Sequence, residues 1–193
     1  MGLFKFRKNI TADIQNGYTL LELLITTTVV VILTTVAAPS FASMINNAQI
    51  KSASRELSQT LALSRSHALK TGITVIVCHA RDSSMSKCSV SRNRNTNWSN
   101  GIISYADTNA NNILDEDDQV LGTMQKHANI ALVFNQNGRL RFFPSGGSRS
   151  SGFYLCSKST ARERHLKILH TGRTRTSSKM GSAQRQICLS KAG

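Results

Sequence analysis

The sequence predicts an α+β protein in which one long N-terminal helix packs on an all-β head of about seven antiparallel strands. Two observations predict this class. The N-terminal third holds an apolar run followed by apolar residues at helical spacing, whereas short β-branched runs separated by turn residues follow from Ile73 onward. The 193 residues are enough for one ordinary domain with an appendage, and no repeat or linker indicates a second domain.

A membrane-spanning helix is predicted near the N-terminus. An apolar run extends from Tyr18 to Ala38, and the basic residues Lys5, Arg7 and Lys8 precede it. At about 1.5 Å per residue, a helix of this length spans roughly 30 Å, the hydrocarbon thickness of a bilayer. Since basic residues keep their end of a span in the cytoplasm, we expect the rest of the chain to be exported.

Two residues in this region do not suit a simple anchor. Gly17 precedes the apolar run, and Glu22 lies inside it, where an acid costs about 2.5–3.5 kcal/mol. The stretch GYTLLELL resembles the prepilin cleavage site of the type IV pilin superfamily, and Pro39 falls where that family often has a helix-kinking proline. The resemblance implies that prepilin peptidase removes a leader of residues 1–17 and that the new Tyr18 amine is methylated. It also implies that Glu22 pairs with the amine of a neighbouring subunit during assembly.

The predicted helix continues beyond the membrane and covers residues 18–71, with its transmembrane part at 18–38. Gly72 is a natural residue to end it. Arg65 and His67 in the second half are interpreted as solvated or packing side chains rather than ligands. The apolar or small residues of the helical stripe are Phe41, Ile45, Ala48, Leu57, Leu61 and Ala68.

Residues 72–193 are predicted to form the globular β head. Asn137 and Gly138 lie between two apolar runs, which is a strong signal for a tight hairpin. The predicted strands are the runs ITVIVCHA, GIISYAD, IALVFN, RLRFFP, GFYLCS, HLKILH and QICLS.

The four cysteines include no C-x-x-C pair, which argues against a zinc site or a redox motif. Of the three possible pairings we favour Cys78–Cys88, which closes a short loop, and Cys156–Cys188, which would tie a late strand to the C-terminal one. Disulfides imply an oxidising compartment. The alternative is a cytosolic protein with four reduced cysteines in its core.

The order of these parts narrows the resemblance. A pilin-type N-terminus, a head with DTNANN between strands and the sequence GRTR near the end together resemble the GspH/FimT group of minor pilins and pseudopilins. The resemblance implies a type IV pilin-like fold. Some members of this group look like DNA-binding minor pilins of natural transformation, in which the G-R-x-R loop is implicated in DNA contact.

The charge distribution agrees with a polyanionic partner. Net charge is +14, and residues 119–193 hold thirteen basic residues against a single acid, Glu163. In an extended segment Arg173 and Arg175 project to the same side, about 6.5–7 Å apart, close to the phosphate repeat of a nucleic-acid strand. Because no aromatic residue follows Tyr154, we expect backbone binding to double-stranded DNA without sequence preference. The predicted DNA-binding residues are Gly172, Arg173, Thr174, Arg175, Lys179, Arg185 and Arg149. A solvated basic loop that only keeps the protein soluble is the alternative.

Other chemistry has weaker support in the sequence. The acidic stretch from Asp107 to Asp118 is spaced like a calcium-binding EF-hand loop, but it has Asn112 where that loop needs glycine and Asp118 where it needs glutamate. We interpret it as an Asn/Asp-rich turn, with calcium as a minor alternative. The histidines form no H-E-x-x-H motif and no G-x-S-x-G is present, so we predict no enzyme, no catalytic residue, no metal and no cofactor. Trp98 is interpreted as a cover for the edge of the core.

The leading hypothesis is a minor type IV pilin that binds DNA for uptake in natural transformation. Its expected partners are double-stranded DNA, other pilins in a fibre and prepilin peptidase. Its expected location is first the inner membrane, as a single-pass protein with its head in the periplasm, and then the pilus at the cell surface. The alternatives are a structural minor pilin or type II secretion pseudopilin that primes fibre assembly, and an adhesin for acidic surface polymers.

Overall fold

The computed structural model describes residues 18–89, 91–157 and 162–191. The predicted leader and Gly17 lie outside these residues. The chain divides into two compact units, Met1–Phe41 and Ala42–Gly193.

Helix α1 extends over Leu20–Thr71, so the predicted long helix is confirmed. Its start is capped by the Thr19 hydroxyl, which accepts a hydrogen bond from the backbone N–H of Glu22 at 3.2 Å. Its end falls at Gly72, which has φ +71° and donates its N–H to the carbonyl of Ala68 at 3.0 Å.

Within the described residues, the N-terminal unit consists mainly of the apolar first part of α1. Tyr18 is 87% exposed and Leu20 82% exposed, and Pro39 lies within the helix. The Thr27 and Thr28 hydroxyls donate to helix carbonyls one turn earlier, which satisfies these polar groups without water. By length and composition the helix can cross a membrane.

The second unit contains two five-stranded antiparallel sheets instead of about seven strands. Its strands are β1 (Val75–Ala80), β2 (Cys88–Ser89), β3 (Thr96–Asn97), β4 (Gly101–Ala106), β5 (Gln119–Gln125), β6 (Ile130–Phe134), β7 (Leu140–Phe142), β8 (Ser151–Ser157), β9 (Glu163–Ile168) and β10 (Thr174–Ser177). The first sheet has the order β2-β1-β4-β5, with β7 also paired to β1. The second has the order β10-β9-β8-β6-β3, so β10 is an edge strand.

The core of this unit lies where the two sheets and the second part of α1 bury their apolar faces together. Leu57 and Leu61 of the helix are fully buried. Trp98 is 1% exposed and packs on Phe134 and Phe153, with ring centroids 4.7 Å and 5.2 Å away. Trp98 therefore sits in the core itself, more deeply than the edge position predicted from the sequence.

The C-terminal segment is a helix, and the predicted strand QICLS is wrong. Helix α2 extends over Ser182–Ser190, and Gly181 at its start donates its N–H to the side-chain oxygen of Gln184 at 3.1 Å. The segment is too short for its periodicity to decide between a strand and a helix. Buried Cys188 of this helix packs against β6 and β8.

Two disulfides are present, Cys78–Cys88 and Cys156–Cys188, the pairing favoured from the sequence. The first ties β1 to β2. The second attaches α2 to β8, so it joins a strand to a helix and not to a C-terminal strand.

The predicted hairpin at Asn137–Gly138 is also wrong. Gly138 does adopt a left-handed conformation, with φ +74°. However, β6 pairs with β8 and β3, whereas β7 pairs with β1 in the other sheet. Asn137 and Gly138 do lie in a local bend, but the burial of their apolar faces places β6 and β7 in different sheets.

Candidate nucleic-acid interface

The GRTR segment forms the tip and second strand of a hairpin. The turn between β9 and β10 is closed by the N–H of Leu169 donating to the carbonyl of Arg173 at 2.9 Å, and by the N–H of Gly172 donating to the carbonyl of Leu169 at 2.8 Å. Thr174 begins β10, so Thr174 and Arg175, half of the predicted GRTR loop, lie in a strand.

Gly172 is fixed by both its conformation and its surroundings. It has φ +74°, and a Cβ at this position would overlap the carbonyl oxygen of Gly146 and crowd the side chain of Arg65. The tip of the hairpin therefore packs closely on the turn around Gly146. The glycine of the motif serves this close approach.

Arg65 of α1 holds the same two turns together. Its Nε donates to the carbonyl of Gly146 at 3.0 Å and to the carbonyl of Thr171 at 3.2 Å. Beside it, the N–H of Ser148 donates to the carbonyl of His170 at 2.9 Å. Arg65 is therefore a positioning residue for the motif, a role that the sequence reasoning missed because nothing local to the helix indicates it.

The two motif arginines are exposed, and Arg175 has a cationic neighbour across the sheet. Arg175 pairs with Lys167 in the register of β10 and β9, which brings their Cβ atoms to about 4.5–5.5 Å on one face. Both side chains are exposed. On the same face, burial first and then the charge of Lys167 lower the pKa of His165, so that histidine is neutral at pH 7.

The other side of β10 faces cations from the helix. Thr176, Arg164, Lys51 and Arg55 line one groove of about 380 Å³. Lys51 and Arg55 are one helical turn apart, which places them on the same side of α1. The edge strand therefore has basic side chains on both of its faces, supplied by α1, β9, β10 and the turn before β10. We call this set, Lys51, Arg55, Arg164, Lys167, Arg173 and Arg175, the edge-strand cations.

Lys179 and Arg185, which are also predicted to contact DNA, have different surroundings. Lys179 is exposed just after β10. Arg185 of α2 makes a two-point ion pair with Glu163, with Nε–Oε2 at 2.7 Å and a second nitrogen to Oε1 at 2.8 Å. The Arg185 hydrogen bonds hold the pKa of Glu163 below its usual range, with help from the N–H of Met180. Arg185 is therefore engaged in tying α2 to β9 and has less to offer a phosphate than the sequence analysis assumed.

Arg149 lies in a different groove. It shares that groove with Arg92, Arg139 and Arg141. Arg149 is predicted to join the GRTR residues, whereas the structure places it with Arg141 of β7 and with arginines of the neighbouring loops.

The acidic loop between β4 and β5 is organised by its own hydrogen bonds. Asn109 and Asn111 donate to the carboxylate of Asp115, and these bonds lower the pKa of that carboxyl. Asp107 accepts from the backbone N–H of Asn112, which has φ +62°. The arrangement is the Asn/Asp-rich turn that the sequence analysis favoured. Within the described ranges, no group of three or more His, Cys, Asp or Glu side chains is placed to hold a metal ion.

The residues predicted to take part in processing and assembly are exposed. Tyr18 and Glu22 are both exposed at the start of α1, next to apolar side chains such as Leu21 and Leu24 that are also more than half exposed. An exposed apolar surface of this size needs a covering of lipid or of other subunits.

A long apolar N-terminal helix that continues into a two-sheet β unit defines the class of type IV pilin-like proteins. The family model described as Type II transport protein GspH matches residues 53–172, and the chain therefore belongs to the GspH family.

Solved structures show the same fold. The type IV minor pilin FimU of Pseudomonas aeruginosa (strain PAO1) aligns with a TM-score of 0.51 at 19% identity, over 68% of this chain and 97% of the FimU chain. The minor pseudopilin EpsH of the Vibrio cholerae Type 2 Secretion System aligns with a TM-score of 0.50 at 13% identity, over 67% of this chain and 97% of the EpsH chain. No curated protein sequence matches this chain. The chain therefore belongs to the GspH family and has the fold of these two minor pilin structures.

Proposed function

We propose that this minor pilin binds double-stranded DNA without sequence preference, for DNA uptake in natural transformation. The observation that carries the proposal is the group of edge-strand cations around β10, in which the exposed Arg173 and Arg175 stand on a hairpin held in place by Arg65. Arginine binds phosphate through a rigid two-pronged contact, and a fixed hairpin loses little entropy on binding.

The electrostatic surroundings support the same proposal. The one acid of residues 119–193, Glu163, is occupied by Arg185, so it does not oppose a phosphate at the edge strand. The hydroxyls of Thr174 and Thr176 add donors of the kind that contact phosphate oxygens. The predicted contacts are Gly172, Arg173, Thr174, Arg175, Lys179 and, in a lesser role, Arg185.

The N-terminal unit completes the proposal. Prepilin peptidase removes residues 1–17, Tyr18 becomes the methylated N-terminus, and Glu22 pairs with the amine of a neighbouring subunit. Before assembly residues 18–38 cross the inner membrane with residues 72–193 in the periplasm, and afterwards the fibre presents the edge-strand cations at the cell surface. The exposed apolar side chains of α1 fit both surroundings. No catalytic step belongs to this function.

Duplex binding by the full-length protein in neutral detergent tests the proposal. Replacing both Arg173 and Arg175 by alanine removes two phosphate contacts, so the slope of log K against log salt should fall by about 1.8. The matched control is Arg81→Ala with Lys87→Ala, an exposed pair beside the Cys78–Cys88 disulfide with the same loss of charge. Equal weakening by the two variants would mean that net charge, and not this hairpin, binds the duplex.

A second candidate is a structural minor pilin or type II secretion pseudopilin that primes fibre assembly without binding DNA. The family match and the EpsH-like fold favour it. In this case the edge-strand cations contact acidic subunits. Deleting the gene separates the candidates, because lost piliation or secretion indicates the structural role, whereas normal fibres with lost transformation indicate DNA uptake.

A further inference from the structure

A second basic groove lies apart from the edge-strand cations. It has a volume of about 540 Å³, within the range of about 300–1,000 Å³ typical of ligand sites. Four arginines line it: Arg92, Arg139, Arg141 and Arg149. None of its twelve described lining residues is acidic. We call it the arginine groove.

Strand β7 builds the floor of the arginine groove through its alternation. Leu140 and Phe142 are buried in the core, so Arg139, Arg141 and Phe143 lie on the opposite side of the strand. β7 pairs with β1 along one edge only, and the other edge is met by the turn that ends at Ser148. Arg141 is therefore fixed on a strand and Arg139 directly precedes it, whereas Arg92 and Arg149 stand on neighbouring loops.

Three buried polar atoms in the arginine groove have no hydrogen-bond partner within the described part of the chain. They are Oε1 of Gln136, Nε of Arg139 and Oγ of Ser151. Ser151 is only 7% exposed. Buried polar groups are almost always paired, so a groove that gathers three of them is suited to a polar ligand that supplies both acceptors and donors.

An aromatic side chain also lines the arginine groove. Phe143 is 46% exposed although it is large and apolar. An exposed ring beside Arg141 offers a stacking platform next to an anion site, a combination that matches a nucleotide better than a sugar acid or a bare phosphate. Duplex DNA keeps its bases stacked inside the helix, so its bases cannot reach Phe143, whereas single-stranded bases can.

We propose that the arginine groove binds single-stranded DNA, with phosphates on the arginines and a base stacked on Phe143. The amide of Gln136 and the hydroxyl of Ser151 then contact the base edge or the sugar. This site is separate from the edge-strand cations and does not depend on whether those bind duplex. Arg149 belongs to this site and not to the duplex site.

The test measures fluorescence anisotropy of labelled single-stranded and duplex oligonucleotides with the full-length protein in neutral detergent. Arg139→Ala with Arg141→Ala should weaken single-strand binding and lower its salt slope by about 1.4, since each single-strand phosphate contact contributes about 0.7. Duplex binding should stay unchanged. Arg173→Ala with Arg175→Ala should give the reverse pattern, so failure of either site is seen separately.

Two further arms test the stacking. Phe143→Leu keeps an apolar side chain but removes the ring, and should weaken single-strand binding on the order of 10-fold. A strand of the same length that lacks bases should bind the unaltered protein as weakly as the normal strand binds the Phe143→Leu variant. If the Phe143 variant binds normally, and if the baseless strand or a sulfated polysaccharide binds as well as the normal strand, the arginine groove is a general polyanion site and the proposal is overturned. Circular dichroism confirms that each variant is folded.

Discussion

Arg65 offers the sharpest test of how the fold positions the DNA-binding hairpin. Its Nε contacts the carbonyls of Gly146 and Thr171, and both bonds require a nitrogen that lysine lacks at this point of the side chain. Arg65→Lys therefore removes the two hydrogen bonds while keeping the charge. The matched control is Arg55→Lys, a change of the same kind on the same helix at an exposed arginine.

The size of the effect follows from the chemistry of the two bonds. A hydrogen bond from a charged donor contributes about 1.5–3 kcal/mol to stability. Because the bond to Thr171 is exposed, we count the two Arg65 bonds together as one bond of this strength. For a protein of this length, each kcal/mol lowers Tm by about 2–4 °C, so Arg65→Lys should lower it by roughly 3–12 °C. The amide protons of Gly172 and Ser148 should exchange roughly 10- to 100-fold faster.

Differential scanning fluorimetry and amide hydrogen exchange measure these effects, and duplex binding should weaken with them. Arg55→Lys should leave Tm and exchange unchanged. If the amide protons of Gly172 and Ser148 exchange at the same rate in Arg65→Lys as in the unaltered protein, the hairpin is held without the Arg65 bonds and the prediction is refuted.

Two other predictions concern the attachment of α2. Replacing Cys156 and Cys188 by serine removes a disulfide that spans 32 residues, which should lower the free energy of unfolding by about 3–4 kcal/mol. Urea denaturation under oxidising conditions measures this loss. Equal denaturation midpoints for the variant and the unaltered protein would contradict the prediction. The ion pair of Glu163 with Arg185 lowers the pKa of this carboxyl, so it stabilises the fold at neutral pH, and this contribution is lost as the pH falls below about 4.3, the ordinary glutamate value. Glu163→Gln should therefore lower Tm at pH 7 while leaving a smaller difference at pH 3; an equal difference at both pH values would contradict the assignment.

The sequence predicted the elements whose pattern is long or chemically specific. Helix α1 has many turns of apolar residues and a glycine stop at Gly72, and it was found with nearly the predicted bounds. The short C-terminal segment was wrong because a run of nine residues shows no decisive period, and its helical state depends on packing of Cys188 against β8.

The candidate interface was predictable only in its local part. The spacing of Arg173 and Arg175 on an extended segment can be read from neighbouring residues. Lys167 joins them through strand register, and Lys51 and Arg55 join through packing of a helix more than a hundred residues earlier. Such long-range placement is decided by which faces are buried together, and no local pattern carries it.

The arginine groove illustrates the same limit. Its residues come from separate loops around β6, β7 and β8, and the sequence reasoning read Asn137–Gly138 as a hairpin that would have placed them differently. The alternation of Arg139 and Arg141 with buried Leu140 was a usable signal that the strand has a basic face. The alternation could not predict that buried polar atoms without hydrogen-bond partners lie beside these arginines.

An NMR titration of the full-length protein in neutral detergent with a short DNA duplex at low salt tests the central claim most directly. The account predicts that the amide resonances of Arg173, Thr174 and Arg175 shift progressively with added duplex, while those of Arg81 and Lys87 do not. Resonances of the hairpin that stay in place at saturating duplex would contradict the account and leave the edge-strand cations as a surface for other subunits.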